Sequence, residues 1–261
     1  MQIQTSHPIV LIYHGIRSGD ADIPPAREPG AAIYDVAQDV FRQQMAWIRD
    51  QGVFVSTVAG QTNMEGNRPL ILTFDDGEAN NFTGAWPVLK ELHFPAYFFV
   101  TGSRIGQPGY MTWDQLRELQ DQGMIVGSHG MHHLILTELE KEDIIKELLD
   151  SKRVLEGNLN SHVDSLSIPR GFVNRYIIDQ AREAGYRYVF TSQPVAECEM
   201  CIGRVAVKAA WSFHRFQQAV YGQIPWQEKA ISVFKNLTIK VLGTARYDRW
   251  RTRAVGQGSD S

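Results

Sequence analysis

Leu70-Ile71-Leu72-Thr73-Phe74-Asp75-Asp76-Gly77, entered from Pro69, is a short apolar run that ends in two carboxylates and a glycine. The apolar part reads as a strand, so the polar part stands just beyond its C-terminal end. The same arrangement recurs along the chain. Ile9–Tyr13 reads as a strand followed by His14, Met124–Gly127 as one followed by His129, and Leu166–Ile168 as one followed by Pro169. Val53–Thr57, Ala96–Val100, Tyr186–Phe190 and Arg204–Val207 are the remaining strand-like runs.

Amphipathic helical runs lie between these strands. They cover Val36–Asp50, Ala85–Leu92, a stretch from the Thr112 cap to Gln122 with Gly123 as its stop, and Ile177–Ala184 ending at Gly185. Leu139–Leu155 is expected to start from a capping box of Thr137 and Glu140. Ser212 opens another helix, and Trp226–Leu242 reads as the last. Strands alternating with helices imply a parallel sheet, open or closed. Polar residues gathered beyond the C-terminal ends of different strands favour closure, because a β/α barrel brings those ends to one face. The expected fold is therefore α/β, an irregular (β/α)7-type barrel. It forms a single domain over residues 1–255 with C-terminal helices, followed by a disordered polar tail, 256–261.

Composition narrows the class of function. A net charge of −3 and a pI near 6.2 leave no basic footprint, which excludes a nucleic-acid partner. No run approaches the ~18 apolar residues of a membrane span. Met1–Pro8 shows no basic and apolar leader pattern, so a cytoplasmic location is the expectation. Cys198 and Cys201, spaced C-x-x-C without a second pair, read as two thiols of a surface loop.

Two adjacent carboxylates raise each other's pKa unless a cation intervenes. Asp75-Asp76-Gly77 is either a plain turn, which Asp and Gly favour, or half of a metal site. The second half is Gly127-Ser128-His129-Gly130-Met131-His132-His133, with three of the chain's eight histidines directly after a strand. On a helical turn the i, i+4 pair His129 and His133 projects to one side and can share an ion. His132 sits off that face and reads as a supporting or exposed residue. Together, Asp76, His129 and His133 make a two-histidine, one-carboxylate set with open positions, the mark of a catalytic rather than a structural metal. Imidazole donors suit zinc first, with cobalt or nickel as alternatives. Asp75, left unligated, can accept a proton from water acidified there.

Thr73-Phe74-Asp75-Asp76-Gly77 followed by Ser128-His129 and His133 resembles the polysaccharide deacetylases with the NodB homology domain, carbohydrate esterase family 4. The likeness is specific over Leu70–Gly171. It implies an irregular β/α barrel and a metal-dependent enzyme acting on an N-acetylated glycan. Asp75 is implied as catalytic base and Asp76, His129 and His133 as metal ligands. Ser167-Ile168-Pro169-Arg170-Gly171 resembles the family's third motif, with Arg170 where a tyrosine is usual. Pro169, Arg170 and Gly171 are thereby implied to bind substrate and to hold the oxyanion through a backbone N–H.

This chain departs from the family in several places. Gly130 replaces the usual Ser or Thr after the first metal histidine. The arginine that usually partners the base is missing from its motif, and Arg204 is the candidate to supply it. The late Leu-x-x-x-His motif is also absent. Instead Leu11-Ile12-Tyr13-His14-Gly15 resembles the permuted poly-N-acetylglucosamine deacetylases, which makes His14 the candidate general acid. Two rival readings remain: a metal-dependent hydrolase of another acyl amide, and a catalytically silent glycan-binding module. Tyr110, Trp113 and Trp211 read as core aromatics more readily than as a sugar platform.

Overall fold

Short apolar runs become strands and the amphipathic runs between them become helices. The structure, a computed structural model, describes residues 8–223 apart from 20–22, 26, 29, 61–67 and 194–197. Its elements in chain order are β1 (Ile9–Tyr13), β2 (Ile16–Arg17), β3 (Val36–Ala37), α1 (Gln38–Asp50), β4 (Leu70–Phe74), α2 (Trp86–Glu91), β5 (Ala96–Val100) and α3 (Trp113–Asp121). They continue with β6 (Ile125–Ser128), α4 (Lys141–Leu159), β7 (Ser165–Ser167), α5 (Arg175–Glu183), β8 (Tyr188–Thr191), β9 (Cys201–Gly203), β10 (Val205–Ala206) and α6 (Phe213–Val220). Trp226–Leu242 and the tail 256–261 lie outside the described residues.

Eight strands form one parallel sheet in the order β10-β1-β4-β5-β6-β7-β8-β9. The two outermost strands, β9 and β10, are separated in the chain by Arg204 alone. β9 pairs with β8 from Cys201 to Gly203, and β10 pairs with β1 through Val205 and Ala206. One segment thus serves both ends of the sheet, and the sheet closes on itself at Arg204. Counted once, that segment makes a seven-stranded barrel, as expected.

Side chains alternate across a strand, so one set faces the helices and the other fills the barrel. Leu11, Tyr13, Leu72, Phe74, Phe98 and Val100 belong to the large core shared with the helices. Val10, Ile71, Tyr97, Phe99 and Phe190 form a separate cluster, the filling of the barrel. The floor is thereby packed rather than open. Gly127 makes room for it, since a Cβ there would lie 2.5 Å from the Phe99 ring. The inward parity of each strand continues past its C-terminal end. It carries Val10 and Ile12 on to His14, Ile71 and Thr73 to Asp75, Gly127 to His129, Ser165 and Ser167 to Pro169, and Ile202 to Arg204. That alternation aims these five residues at the mouth.

Several local expectations change. Val53–Thr57 makes only an isolated bridge, Val55 to Leu70, because β4 is already flanked by β1 and β5 and meets the run only at its end. The Thr112 cap forms with Gln115 as a reciprocal box. The expected Thr137–Glu140 cap of α4 does not lead that helix. Leu136–Glu138 instead form a 3-10 turn that buries Leu136, and Glu140 is the N-cap without a side-chain bond. β2 and β3 pair with each other, and between them in the chain Glu28 and Tyr34 come to the barrel mouth, against His133 and His14.

Candidate active site

Beyond β4 the chain reverses through two left-handed residues, Asp76 (φ 75) and Gly77 (φ 76). Aspartate tolerates that conformation better than most side chains, and Gly77 adopts it freely. The reversal turns Asp76 into the mouth, where simple alternation would send it outward. Asp76 Oδ1 lies 3.5 Å from His129 Nε2 and 3.2 Å from His133 Nε2. One donor atom from each of the three side chains falls within 4.8 Å of the others. The expected helical turn is not how this happens. Residues 129–133 form an irregular bend in which Gly130 (φ 75) and His133 (φ 59) are left-handed. Gly130 is therefore suited to its place, and Ser128 Oγ, 3.1 Å away, accepts its N–H.

The donors are oriented from behind. His129 Nδ1 lies 2.9 Å from the Ser167 carbonyl oxygen. A carbonyl only accepts, so Nδ1 carries a hydrogen and Nε2 is the ring atom turned to Asp76. His133 Nδ1 is likewise 2.9 Å from Glu28 Oε1. Burial would raise the Asp76 pKa, but its bonds to His129 and His133 hold it well below the usual carboxylate range. Burial opposes a charge on His133, yet Asp76 and Glu28 outweigh it and raise this histidine to about 9. A proton on His133 thus sits where two carboxylates favour positive charge. One carboxylate and two imidazole nitrogens, converging and fixed from behind, fit a divalent ion of the zinc, cobalt or nickel type. His132 turns away, with its Nδ1 2.9 Å from Glu147 Oε2 and its side chain 53% exposed.

Asp75 meets Arg204 through two bonds of 2.8 Å. Arg204 Nη1 also donates to Thr73 Oγ1 at 3.1 Å, Nη2 to Ser167 Oγ at 2.6 Å, and Nε to the Thr191 carbonyl at 3.2 Å. These bonds engage all five donors of the guanidinium. The group is buried between the rings of Phe99 and Phe190, at 5.5 and 5.6 Å. Ser167 Oγ adds a 3.0 Å bond to Asp75 Oδ2. Burial raises the Asp75 pKa, but Arg204, followed by His129 and His14, overcomes this and holds the group ionised.

His14 stacks on Tyr34, with ring centroids 4.8 Å apart, and its Nδ1 has no hydrogen-bond partner among the described residues. Burial lowers its pKa against the pull of Asp76 and Asp75, so the resting imidazole is neutral. At the third motif, Arg170 (φ 61) and Gly171 (φ 73) form a left-handed pair, and the Gly171 N–H donates to the Ile168 carbonyl.

Three residues around the site escape sequence reasoning. Ser167 could have been found from its parity, two positions before Pro169. Glu28 and Tyr34 carry no such signal, since the Pro/Gly-rich loop that holds them has no period. Among the aromatics, Tyr110 is buried and Trp211 lies under the Arg215 guanidinium. The cysteine reading is corrected. Cys198 and Cys201 are joined as a disulfide, because the Cys201 N–H to Cys198 carbonyl turn brings their Cα atoms to 4.9 Å.

Residues 62–189 match the family model described as polysaccharide deacetylase. The chain is 29% identical over 203 residues to YxkH of Bacillus subtilis (strain 168), covering 74% of this chain and 68% of that protein. It is 24% identical over 182 residues to the poly-beta-1,6-N-acetyl-D-glucosamine N-deacetylase of Staphylococcus aureus (strain MRSA252), covering 62% of this chain and 63% of that relative. The fold superposes on IcaB from Ammonifex degensii with a TM-score of 0.69 at 23% identity, over 85% of this chain and 99% of that one. By these matches the chain is similar to the polysaccharide deacetylases, through the family model over residues 62–189 and through its relatives.

Proposed function

We propose that the protein is a metal-dependent N-deacetylase that hydrolyses the acetamide of N-acetylhexosamine units in a polysaccharide or oligosaccharide and releases acetate. One observation carries this reading. A single barrel mouth holds the Asp76–His129–His133 donor set beside a second carboxylate, Asp75, that is clamped by arginine and left out of the set. Similarity to a poly-N-acetylglucosamine deacetylase supports the substrate class.

Asp76, His129 and His133 would hold the ion, zinc most suitably and cobalt or nickel as alternatives. When bound, it supplies acidification of water and polarisation of the acetyl carbonyl. Asp75 takes the water proton. Its Oδ2 accepts two hydrogen bonds and Oδ1 one, so Oδ1 retains capacity for that proton. Arg204, the base partner, keeps Asp75 ionised and fixes its plane. His14 gives a proton to the departing nitrogen. It is neutral at rest, and the Asp75 and Asp76 charges favour its protonation during the cycle. In the Pro169–Gly171 stretch, proline has no N–H and the Gly171 N–H serves Ile168, so the oxyanion role rests on the Arg170 N–H.

The cytoplasmic location expected above stands against the Cys198–Cys201 disulfide, a bond that reducing cytosol disfavours. The test of function is acetate release from N-acetylglucosamine oligomers beside simple acetamides, with metal restored to stripped protein. Release confined to the sugars supports the proposal. Release only from simple amides moves the site to another acyl substrate, and glycan binding without release moves it to a silent module.

A further inference from the structure

His129 and His133 are held in different ways. His129 continues the inward parity of β6 and is bonded from behind by the Ser167 main chain. His133 stands on a bend beyond the strand, in a left-handed conformation, and its Nδ1 partner is a side chain from elsewhere, Glu28. We infer that Glu28 is a positioning residue of the metal site, which sets the tautomer and direction of His133. This inference rests on the metal-dependent reading above.

The loop that carries Glu28 is built to hold it there. The β2–β3 pairing closes its base, Ile16 to Val36 and Arg17 to Ala37. Arg27, the preceding residue, donates Nη1 and Nη2 to Asp35 at 2.8 and 2.6 Å and forms an ion pair with Glu78, with Nε 2.7 Å from Oε1. Glu78 also accepts from Asn80 at 2.7 Å, and Asn80 Oδ1 accepts the Ile16 N–H at 3.0 Å. The loop thereby returns to the β4 end that bears Asp76. At its tip Pro24 fits against Gly109, where a Cβ would lie 2.5 Å from the proline Cα. Arg104 pairs with the same Glu28 oxygen that faces His133. The carboxylate is therefore fixed from two sides. A carboxylate on the far nitrogen of a ligating histidine fixes its ring and raises its basicity, and loss of such a partner weakens metal binding.

The test is calorimetric titration of the metal-stripped protein with zinc, together with the visible spectrum of the cobalt-loaded form. Glu28→Ala is expected to weaken affinity by about 10–100-fold and to change the cobalt bands. Glu28→Gln, which keeps an acceptor for the His133 N–H, is expected to lose less. Arg104→Met removes the other partner of Glu28 and is expected to stay closer to wild type than either. If Glu28→Ala binds zinc as wild type does, Glu28 has no positioning role although the site stands. Equal losses in Arg104→Met and Glu28→Ala would assign the effect to loop anchorage and overturn the inference. A wild-type protein that binds no ion removes the metal site itself, and this role with it.

Discussion

Arg204 and Asp75, 129 residues apart in sequence, meet in a bidentate pair whose two bonds, Nη1 to Oδ1 and Nη2 to Oδ2, are both 2.8 Å. Their side chains are 0% and 4% exposed. The pair sits where the barrel closes, since Arg204 is the residue at which β9 gives way to β10. One guanidinium therefore ties the last strand to β4 and holds a carboxylate ready at the mouth.

Removing one partner of a buried pair leaves the other charge uncompensated, so Arg204→Met should cost about 3–5 kcal/mol of stability. Urea unfolding measures it. Arg204→Lys keeps the charge but not the planar fork, so it should recover only part of the stability and activity. A loss below about 1 kcal/mol in Arg204→Met, the range of exposed pairs, would show that the pair does not hold the closure.

His14→Gln should lower kcat for an acetylated sugar by about 10²–10⁴-fold, the usual worth of a general acid. Zinc affinity should not change. The loss should shrink for an acetylated aryl amine, whose weakly basic nitrogen leaves with less need of a proton. An equal loss on both substrates would assign His14 a packing role against Tyr34.

Metal-free protein should lose stability as pH rises from about 5 to 9. Burial raises Glu78 to about 7, only partly offset by Arg27, and Asp76 with Glu28 raises His133 to about 9 against burial. Both folded values lie above the unfolded ones of 4.5 and 6.5. Each contribution is therefore complete below the unfolded value and is lost as pH rises through the folded one. Glu28, Asp75 and Asp76 are shifted downward, and their contributions fade only at lower pH. His14, lowered by burial, offsets part of the loss up to about its unfolded value of 6.5 and none of it above. Zinc should reverse the loss at the upper end by replacing the His133 proton. Urea midpoints flat or rising between these pH values in the metal-free protein would contradict this.

The legible parts of this molecule are those governed by period. Apolar runs such as Leu70–Phe74 and Ala96–Val100 match their strands at both ends, because pairing on both sides leaves the backbone no choice. The strand-end placing of His14, Asp75 and His129 follows from the same alternation. What stays hidden depends on long-range closure or on irregular backbone. The split at Arg204 involves strands of three and two residues, too short to show a pattern. The His129–His133 bend needs left-handed residues rather than a helical turn, and Glu28 and Tyr34 reach the mouth from a loop without periodicity.

Cys198 and Cys201 close a loop with a sequence separation of 3. A loop so small constrains the unfolded chain little, so Cys198→Ser with Cys201→Ser should cost on the order of 2 kcal/mol. Alkylation of unreduced, denatured protein followed by peptide mass analysis should find both sulfurs blocked. Alkylated cysteines without reductant would show two free thiols instead.

The most direct test of the central claim is acetate release from N-acetylglucosamine oligomers by metal-stripped protein, before and after zinc is restored, with Asp75→Asn in parallel. The account predicts release by wild type only with the ion, and its loss in Asp75→Asn although that variant still binds zinc. Release that needs no ion, or that survives in Asp75→Asn at the wild-type rate, would contradict it.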